Sequence, residues 1–306
     1  MTATAPAPLG ENGARAARAR ERRRLPYLLL VPGMLWLFVF FAAPMLTLAS
    51  TSLQTGSLAA GYQLTWRVAN FLDALALYQE QFVRSFLYAG AATALGLLIA
   101  YPLAYTIAFK AGRWRNVLLV LVIAPFFTSF LIRTIAWITI LSDDGVVVHG
   151  LAALRVLDVL AWLGWAADDR LLATPVAVVC GLTYNFLPFM TLPLYASLDR
   201  IDPRMLDAAG DLYSSPFTAF RKVTFPLSLP GVVAGTLLTF IPAAGDFINA
   251  ELLGSPAEAM IGNVIEGQFL RVLDYPTAAA LSFTLMAAIV LLVTLYVRRA
   301  GTEELV

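Results

Sequence analysis

Between Tyr27 and Ser50 the chain runs for 24 residues without one Asp, Glu, Lys or Arg. A helix needs about 20 apolar residues to cross the hydrocarbon core of a bilayer, and an unpaired charge at mid-depth costs at least ~2.5 kcal/mol. Five later segments reach the same length: Val83–Phe109, Asn116–Leu141, Leu172–Ser197, Leu227–Leu253 and Thr277–Val297. The expectation is an all-α, polytopic membrane protein with about six transmembrane helices. Composition agrees: 13% of the residues are charged, about half the share in an ordinary soluble domain. Pro44, Pro102, Pro125, Pro188 and Pro242 fall inside the spans, where neighbouring helices must satisfy the carbonyls they free.

The apolar run that follows Arg22, Arg23 and Arg24 is too long for a secretory h-region of about 7–15 residues. It reads as an uncleaved first span. Residues 1–24, rich in Ala, Pro, Gly and Arg, read as a disordered basic tail, 25–299 as the transmembrane domain, and 300–306 as a short second tail. With the N-terminus placed in the cytoplasm, the inside segments hold fifteen Lys and Arg and the outside segments five. The positive-inside rule then puts both termini in the cytoplasm of a bacterial cell, with the chain in its inner membrane.

Two connections are more than links. In the outer loop 142–171, Leu151, Leu154, Leu157, Val159 and Leu160 suggest one short amphipathic helix ended by Gly164, capping the bundle or docking an external partner. The inner loop 198–226 carries two helix starts, Asp202 before Pro203 and Ser215 before Pro216, and Pro226 is expected to open the next span. Met205, Leu206, Ala209 and Leu212 give its first helix an apolar stripe. Such a stripe suits either a partner's groove or the chain's own bundle.

Asp207-Ala208-Ala209, Tyr213 and Val223-Thr224-Phe225-Pro226 keep the spacing of the inner-loop signature of binding-protein-dependent ABC importer permeases. The chain resembles that family, with Ala208, Ala209 and Pro226 matching literally and Tyr213 standing where glycine is usual. Leu187–Tyr195, Ile261–Phe269 and Asp274-Tyr275-Pro276 resemble its spermidine/putrescine branch. The resemblance covers roughly residues 27–297. It implies a MetI-like bundle of six helices that pairs with a second permease, is driven by a cytoplasmic ABC ATPase dimer, and receives cargo from an extracytoplasmic substrate-binding protein. It also implies that Asp207, Ala208, Ala209, Gly210, Leu212, Tyr213 and Pro226 couple the chain to the ATPase. Related branches carry opines, ferric iron, sulfate or thiamine.

The chain offers little chemistry of its own. Its two lysines, Lys110 and Lys222, follow Phe109 and Arg221, so neither completes the Gly-Lys-Ser/Thr of a phosphate-binding loop. Energy must come from a partner ATPase or, in the rival reading of a secondary transporter, from an ion gradient; no internal repeat favours the latter. One cysteine (Cys180) and one histidine (His149) exclude a structural zinc site and an intramolecular disulfide. No cofactor, metal or nucleic acid is expected, and the chain is not read as an enzyme. Polar groups inside spans remain as pathway candidates: Arg133, Tyr184, Asn185, Asp246, Asn249 and Glu251. Carboxylates and aromatic faces suit a multivalent organic cation, which Asp246 and Tyr184 could provide; alternatively Asp246 pairs with Arg133 to hold the bundle.

Overall fold

The computed structural model describes residues 29–162, 170–212 and 215–299. Twelve helices and one hairpin run in the order α1 (Leu29–Ser52), β1 (Gln54–Ser57), β2 (Gly61–Leu64), α2 (Ala69–Lys110), α3 (Gly112–Phe127), α4 (Phe130–Leu141), α5 (Val146–Ala153), α6 (Val156–Trp162), α7 (Pro175–Leu198), α8 (Pro203–Leu212), α9 (Pro216–Ala244), α10 (Ile248–Leu253), α11 (Ile261–Gly267) and α12 (Tyr275–Arg299). Five of these helices are long and apolar enough to cross a membrane, and α3 with α4 makes a sixth span if the bent pair counts as one. The two tails, 1–24 and 300–306, lie outside the described residues.

The centre of the bundle is α7, packed on α2 and α9. Of its most apolar window 61% is buried, against none of α1's, so α7 is the axis and α1 a peripheral helix leaning on α12. Small residues bring the central helices close, since no hydrophobic force distinguishes protein from lipid here and close packing must hold the helices together. On α2 the buried small residues include Ala89, Ala92, Thr93, Gly96, Ala100 and Ala104. On α9, a Cβ at Gly231 would sit 2.5 Å from Ser197 Cβ and 2.8 Å from the Pro193 carbonyl oxygen. One buried polar tie joins α2 to α9, between the Tyr101 hydroxyl and Ser228 Oγ at 2.7 Å.

Four expected boundaries move. The stretch Asn116–Leu141 is not one helix: it bends by 97° between α3 and α4, because Pro125 ends the first half in a 3-10 turn and Thr128 and Ser129 adopt extended backbone. The stretch Leu227–Leu253 stops at Ala244, and α10 is a separate short helix. Pro226 does not open a span, for α9 runs unbroken from Pro216. A π-turn at Phe220–Thr224, closed by the Phe225 amide on the Phe220 carbonyl, shifts the bonding register just ahead of the proline. The second span also starts earlier than Val83, at Ala69, with a kink at Tyr78.

The loop expected to hold one amphipathic helix holds two, α5 and α6, separated at Arg155, whose φ of 55° interrupts the helix. Leu157 and Val148 are buried against Leu141, Leu171, Ala177 and Leu253, with Leu151 packed alongside, while Leu154 and Val159 face outward. This loop therefore caps the bundle; Gly164 lies outside the described residues. At the same end, the Tyr62 hydroxyl of the hairpin donates to the Leu273 carbonyl, and Asn70 Nδ2 donates to the Ser52 and Gln54 carbonyls at 2.9 and 2.8 Å, closing the hairpin's base.

The contact at Gly231 is the tightest between the long central helices. Gly231→Val forces α7 and α9 apart and should destabilise the chain by about 1–3 kcal/mol, the usual range for overpacking. Thermal unfolding in detergent reads this as a lowered midpoint; an unchanged midpoint would show that the two helices slide freely.

Candidate functional site

Two interruptions in the helices meet on the central helix. The first is the bend at Thr128–Ser129, which starts α4 and places Arg133 and Thr134 in its second turn, both buried. The second is Gly245-Asp246-Phe247, between α9 and α10. Asp246 Oδ1 accepts from the Asn249 backbone N–H at 2.8 Å and from Asn249 Nδ2 at 3.1 Å. This carboxylate thus caps α10 in the manner of an N-terminal Asp. Asn249 Oδ1 in turn accepts from Asn185 Nδ2 at 3.0 Å, and the same Nδ2 donates to Thr134 Oγ1 at 3.1 Å. The Thr134 hydroxyl donates to the Phe130 carbonyl at 3.1 Å. A relay of four buried side chains therefore links α4, α7 and α10 across the bundle.

Two glycines permit this convergence. A Cβ at Gly181 would meet Asn249 Oδ1 at 2.8 Å and Leu253 Cδ1 at 2.3 Å, and one at Gly262 would meet the Gly245 and Asp246 carbonyl oxygens at 2.7 Å. The irregular backbone around Asp246 is therefore covered by protein, one of the conditions under which non-helical chain is tolerated at membrane depth.

The six pathway candidates divide. Asn185 and Asp246 are joined through Asn249. Arg133 neighbours Thr134 in sequence but makes no ion pair among the described residues, so the expected alternative of an Asp246–Arg133 bond is absent here. The guanidinium instead lies 5.4 Å from the Phe126 ring centre and 5.7 Å from that of Phe130. Tyr184, half-exposed, stacks edge-on to Trp137 at 5.5 Å and borders an apolar cleft of about 270 Å³ with Leu103, Val122, Pro125 and Pro188. It shares no hydrogen bond with Asp246. Glu251 is drawn away to the end segment, bonded to Arg271 Nη2 at 3.0 Å and Asn263 Nδ2 at 3.3 Å. Asn249, one of the polar candidates read from the sequence, and Thr134, which was not, complete the relay. The spacing Asp246-x-x-Asn249 carries the signal of a helix cap, whereas nothing in the run Phe130–Leu141 marks Thr134.

At the opposite end, α8 starts where Asp202-Pro203 places it, with Asp202 Oδ1 accepting from the Arg204 N–H at 2.9 Å. Its stripe splits. Ala209 is buried and Leu206 packs on the cluster that includes Leu194, Leu198 and Ile201, while Met205 and Leu212 are exposed, Leu212 by 78%. Asp207, Ala208 and Gly210 are exposed; Tyr213 lies outside the described residues, and Pro226 sits on α9 beyond the π-turn. Asp211 is exposed one turn after Asp207, so two carboxylates share a face. Between α8, α7 and α9 opens a cleft of about 520 Å³ lined by Ser197, Arg200, Asp202, Met205, Leu227 and Pro230. Beside it Arg115 at the start of α3 bonds Asp199 at 2.6 Å and lies over the Tyr195 ring at 5.1 Å.

Residues 92–300 match the family described as binding-protein-dependent transport system inner membrane component. The chain belongs to that family. This permease is 37% identical over 264 residues to the spermidine/putrescine transport system permease protein PotB of Salmonella typhimurium (strain SL1344), covering 86% of this chain and 89% of that one. PotB of Escherichia coli (strain K12) gives the same identity, with 93% of the relative covered. The inner membrane ABC transporter permease protein YdcU of Escherichia coli (strain K12) is 30% identical over 286 residues, 91% of this chain and 90% of that one. The resemblance read from the inner-loop signature and the Leu187–Tyr195 and Ile261–Phe269 stretches is thus borne out. In fold, the permease is similar to a crystal structure of a bacterial ABC transporter involved in the import of the acidic polysaccharide alginate, with a TM-score of 0.65 at 19% identity over 95% of this chain and 99% of that one. A second structure of an alginate transporter, in complex with an alginate pentasaccharide-bound periplasmic protein, gives 0.62 at 19% identity over 91% of this chain and 94% of that one. The permease is a multi-pass inner-membrane subunit of an ABC importer.

Asn185 holds two partners with one amide nitrogen. Asn185→Leu leaves Asn249 Oδ1 without its donor and unhooks α4 from α7. The expected cost is about 1 kcal/mol, in the range measured for hydrogen bonds between membrane helices, read as a lower midpoint in detergent. Asn185→Leu with an unchanged midpoint would mean that the relay is slack.

Proposed function

We propose that this permease carries polyamines, spermidine and putrescine or a closely related organic cation, into the cell. The observation that carries the reading is the 37% identity with spermidine/putrescine permeases across 86% of the chain. Asp246, Asn185 and Tyr184 are its proposed pathway residues, with Glu251 toward the outer mouth. A carboxylate at the broken end of α9 and the paired rings of Tyr184 and Trp137 are what a multivalent cation needs, an anion and a π-face. Both termini are placed in the cytoplasm by the charge count, which turns α8 and its Asp207–Asp211 face toward the ATPase. The chain supplies the path and no ATPase site; two ATPase subunits, a second and different permease, and an extracytoplasmic binding protein complete the importer.

In this reading ATP-driven closure of the ATPases moves α8. The movement passes into α9, which is continuous from Pro216 to Ala244, and reaches Asp246 at its far end. Arg115, bonded to Asp199 beside the same loop, carries it into α3. Alternating access follows from α9 moving together with α7 against the elements attached to them.

The test is uptake of labelled putrescine and spermidine by cells expressing this chain with its neighbouring transporter genes, against unlabelled opines, amino acids and sugars as competitors. Saturable polyamine uptake that needs an intact ATPase is expected. Block by another solute alone would move the cargo, and uptake with a dead ATPase would overturn the importer reading. In the same assay Asp246→Asn should cut transport about tenfold or more, the scale of losing one charge contact, while assembly with the ATPase survives. Asp207→Arg addresses the other end: stimulation of ATP hydrolysis by loaded binding protein should be lost, and stimulation at the wild-type level would remove Asp207 from the docking face.

A further inference from the structure

Asp246 fixes the direction of the whole relay. A carboxylate only accepts, so Asn249 turns its Nδ2 toward Asp246 and its Oδ1 toward Asn185. Asn185 must then present Nδ2, which it also gives to Thr134 Oγ1. Its Oδ1 is left buried without a donor, in a residue that is 1% exposed. Arg133, the neighbour of Thr134, is the converse: it is 8% exposed, and its Nε and Nη1 are buried without an acceptor. An unpaired buried polar group costs more than an ordinary hydrogen bond returns, and a charged one costs most.

The two orphans sit on facing elements. The Arg133 side chain is turned back toward the start of α4, with its guanidinium against the Phe126 and Phe130 rings. Those rings pack in turn on α7, Phe126 on Phe189 at 5.0 Å and Phe130 on Phe186 at 6.2 Å. Phe189 is one helical turn beyond Asn185, so the guanidinium lies about a turn, roughly 5.4 Å of helix, from the level of the amide oxygen. The other buried side-chain oxygens without a partner among the described residues do not compete. Gln81 Oε1 and Thr93 Oγ1 belong to α2 and Thr239 Oγ1 to α9, whereas α4 packs chiefly on α7 and α10. A cationic cargo would satisfy the amide oxygen and repel the guanidinium. A bond between the two orphans settles both.

We propose that Arg133 and Asn185 Oδ1 are the two halves of one bond, open in this structure and closed in the permease's other access state. Arg133 is then a positioning residue that seats α4 on α7 after a shift of about one helical turn, a step by which packed elements are known to move past one another. The inference rests on the alternating-access movement proposed above and not on the identity of the cargo. Little opposes the shift. Thr134 and Asn185 are joined by one neutral hydrogen bond, Thr134 carries its bond to the Phe130 carbonyl with it, and Asn185 Nδ2 keeps Asn249 Oδ1.

The assembled transporter, with cysteine-free partner subunits, is compared without nucleotide and trapped with ATP and vanadate. Cys180, the chain's only cysteine, lies on α7, so a thiol-reactive dye reads the unfolding of this helix. Arg133→Met removes an orphan charge in one state and a bond in the other. The two midpoints should therefore move in opposite directions, by about 2–4 °C each. Combined with Asn185→Ala, its effect should be additive in the state where it stabilises and less than additive in the other. Arg133→Lys keeps a cationic donor and should leave both midpoints near wild type. Midpoints that move the same way overturn the inference and make Arg133 a fixed part of the fold, or the partner of a water shared with Asn185. Additive effects in both states overturn it as well. Wild-type uptake with a dead ATPase would remove the movement itself and the inference with it; where uptake needs the ATPase, same-direction shifts remove the inference alone.

Discussion

Every peptide group that enters hydrocarbon must find its partner within protein, and the architecture of this permease is largely the set of ways it meets that demand. Prolines would break it at many points. Two π-turns, at Phe38–Ala42 and Phe220–Thr224, each end two residues before a proline, Pro44 and Pro226, and let the helix continue. Hydroxyls are turned back on the helix: Thr106 onto the Pro102 carbonyl, Thr191 onto Leu187 and Thr236 onto Val232. Where regular helix does stop, side chains stand in for the missing bonds. Thr174 Oγ1 accepts from the Ala177 N–H and Asp246 from Asn249.

That demand also explains why the two breaks converge. A gap in a helix is tolerated only against other protein or a water-filled cavity, and α7 is the most protected surface in the bundle. The gap before α4 and the gap before α10 therefore both lean on it, and Asn185 bonds to residues from each. The same protection makes the place suitable for transport, since polar backbone and side chains can be gathered there without contact with lipid. The break after Ala244 also ends a helix of 29 residues that begins beside α8, a rod of about 43 Å at 1.5 Å per residue. A displacement at one face of the membrane thus has a stiff path to the other.

Much of this was legible in the residues, and the failures share one cause. The spans were marked by uncharged length, and α8 and α9 start at Asp202-Pro203 and Ser215-Pro216, because caps and prolines act locally. The bend at Thr128–Ser129 was missed because hydropathy does not fall there: Phe126, Phe127, Phe130 and Leu131 keep the run apolar, and only Pro125 followed by a Thr-Ser pair hints at an end and a new start. Pro226 was misread for the converse reason, since a π-turn five residues long repairs a break that the sequence announces. At the site, Asp246 and Asn185 stood out as polar residues in apolar surroundings. Their connection through Asn249 depends on how closely α10 approaches Gly181, a tertiary fact.

The two kinds of contact in the bundle differ in how they respond to movement. At Gly231 and Gly235, α9 is set against α7 at distances that leave no room for a methyl group, so these two helices are held in register by steric fit. The relay Thr134–Asn185–Asn249–Asp246 is built from neutral amides, one hydroxyl and one carboxylate, and such bonds contribute about 0.6 kcal/mol each between membrane helices because displaced partners find others. Fit of the first kind is lost if the helices slide, whereas bonds of the second kind can be exchanged. A permease that must change shape without exposing its backbone is best served by this division, with α7 and α9 moving as one body, α10 seated on α7 at Gly181, and α4 attached by bonds that can be remade at each step.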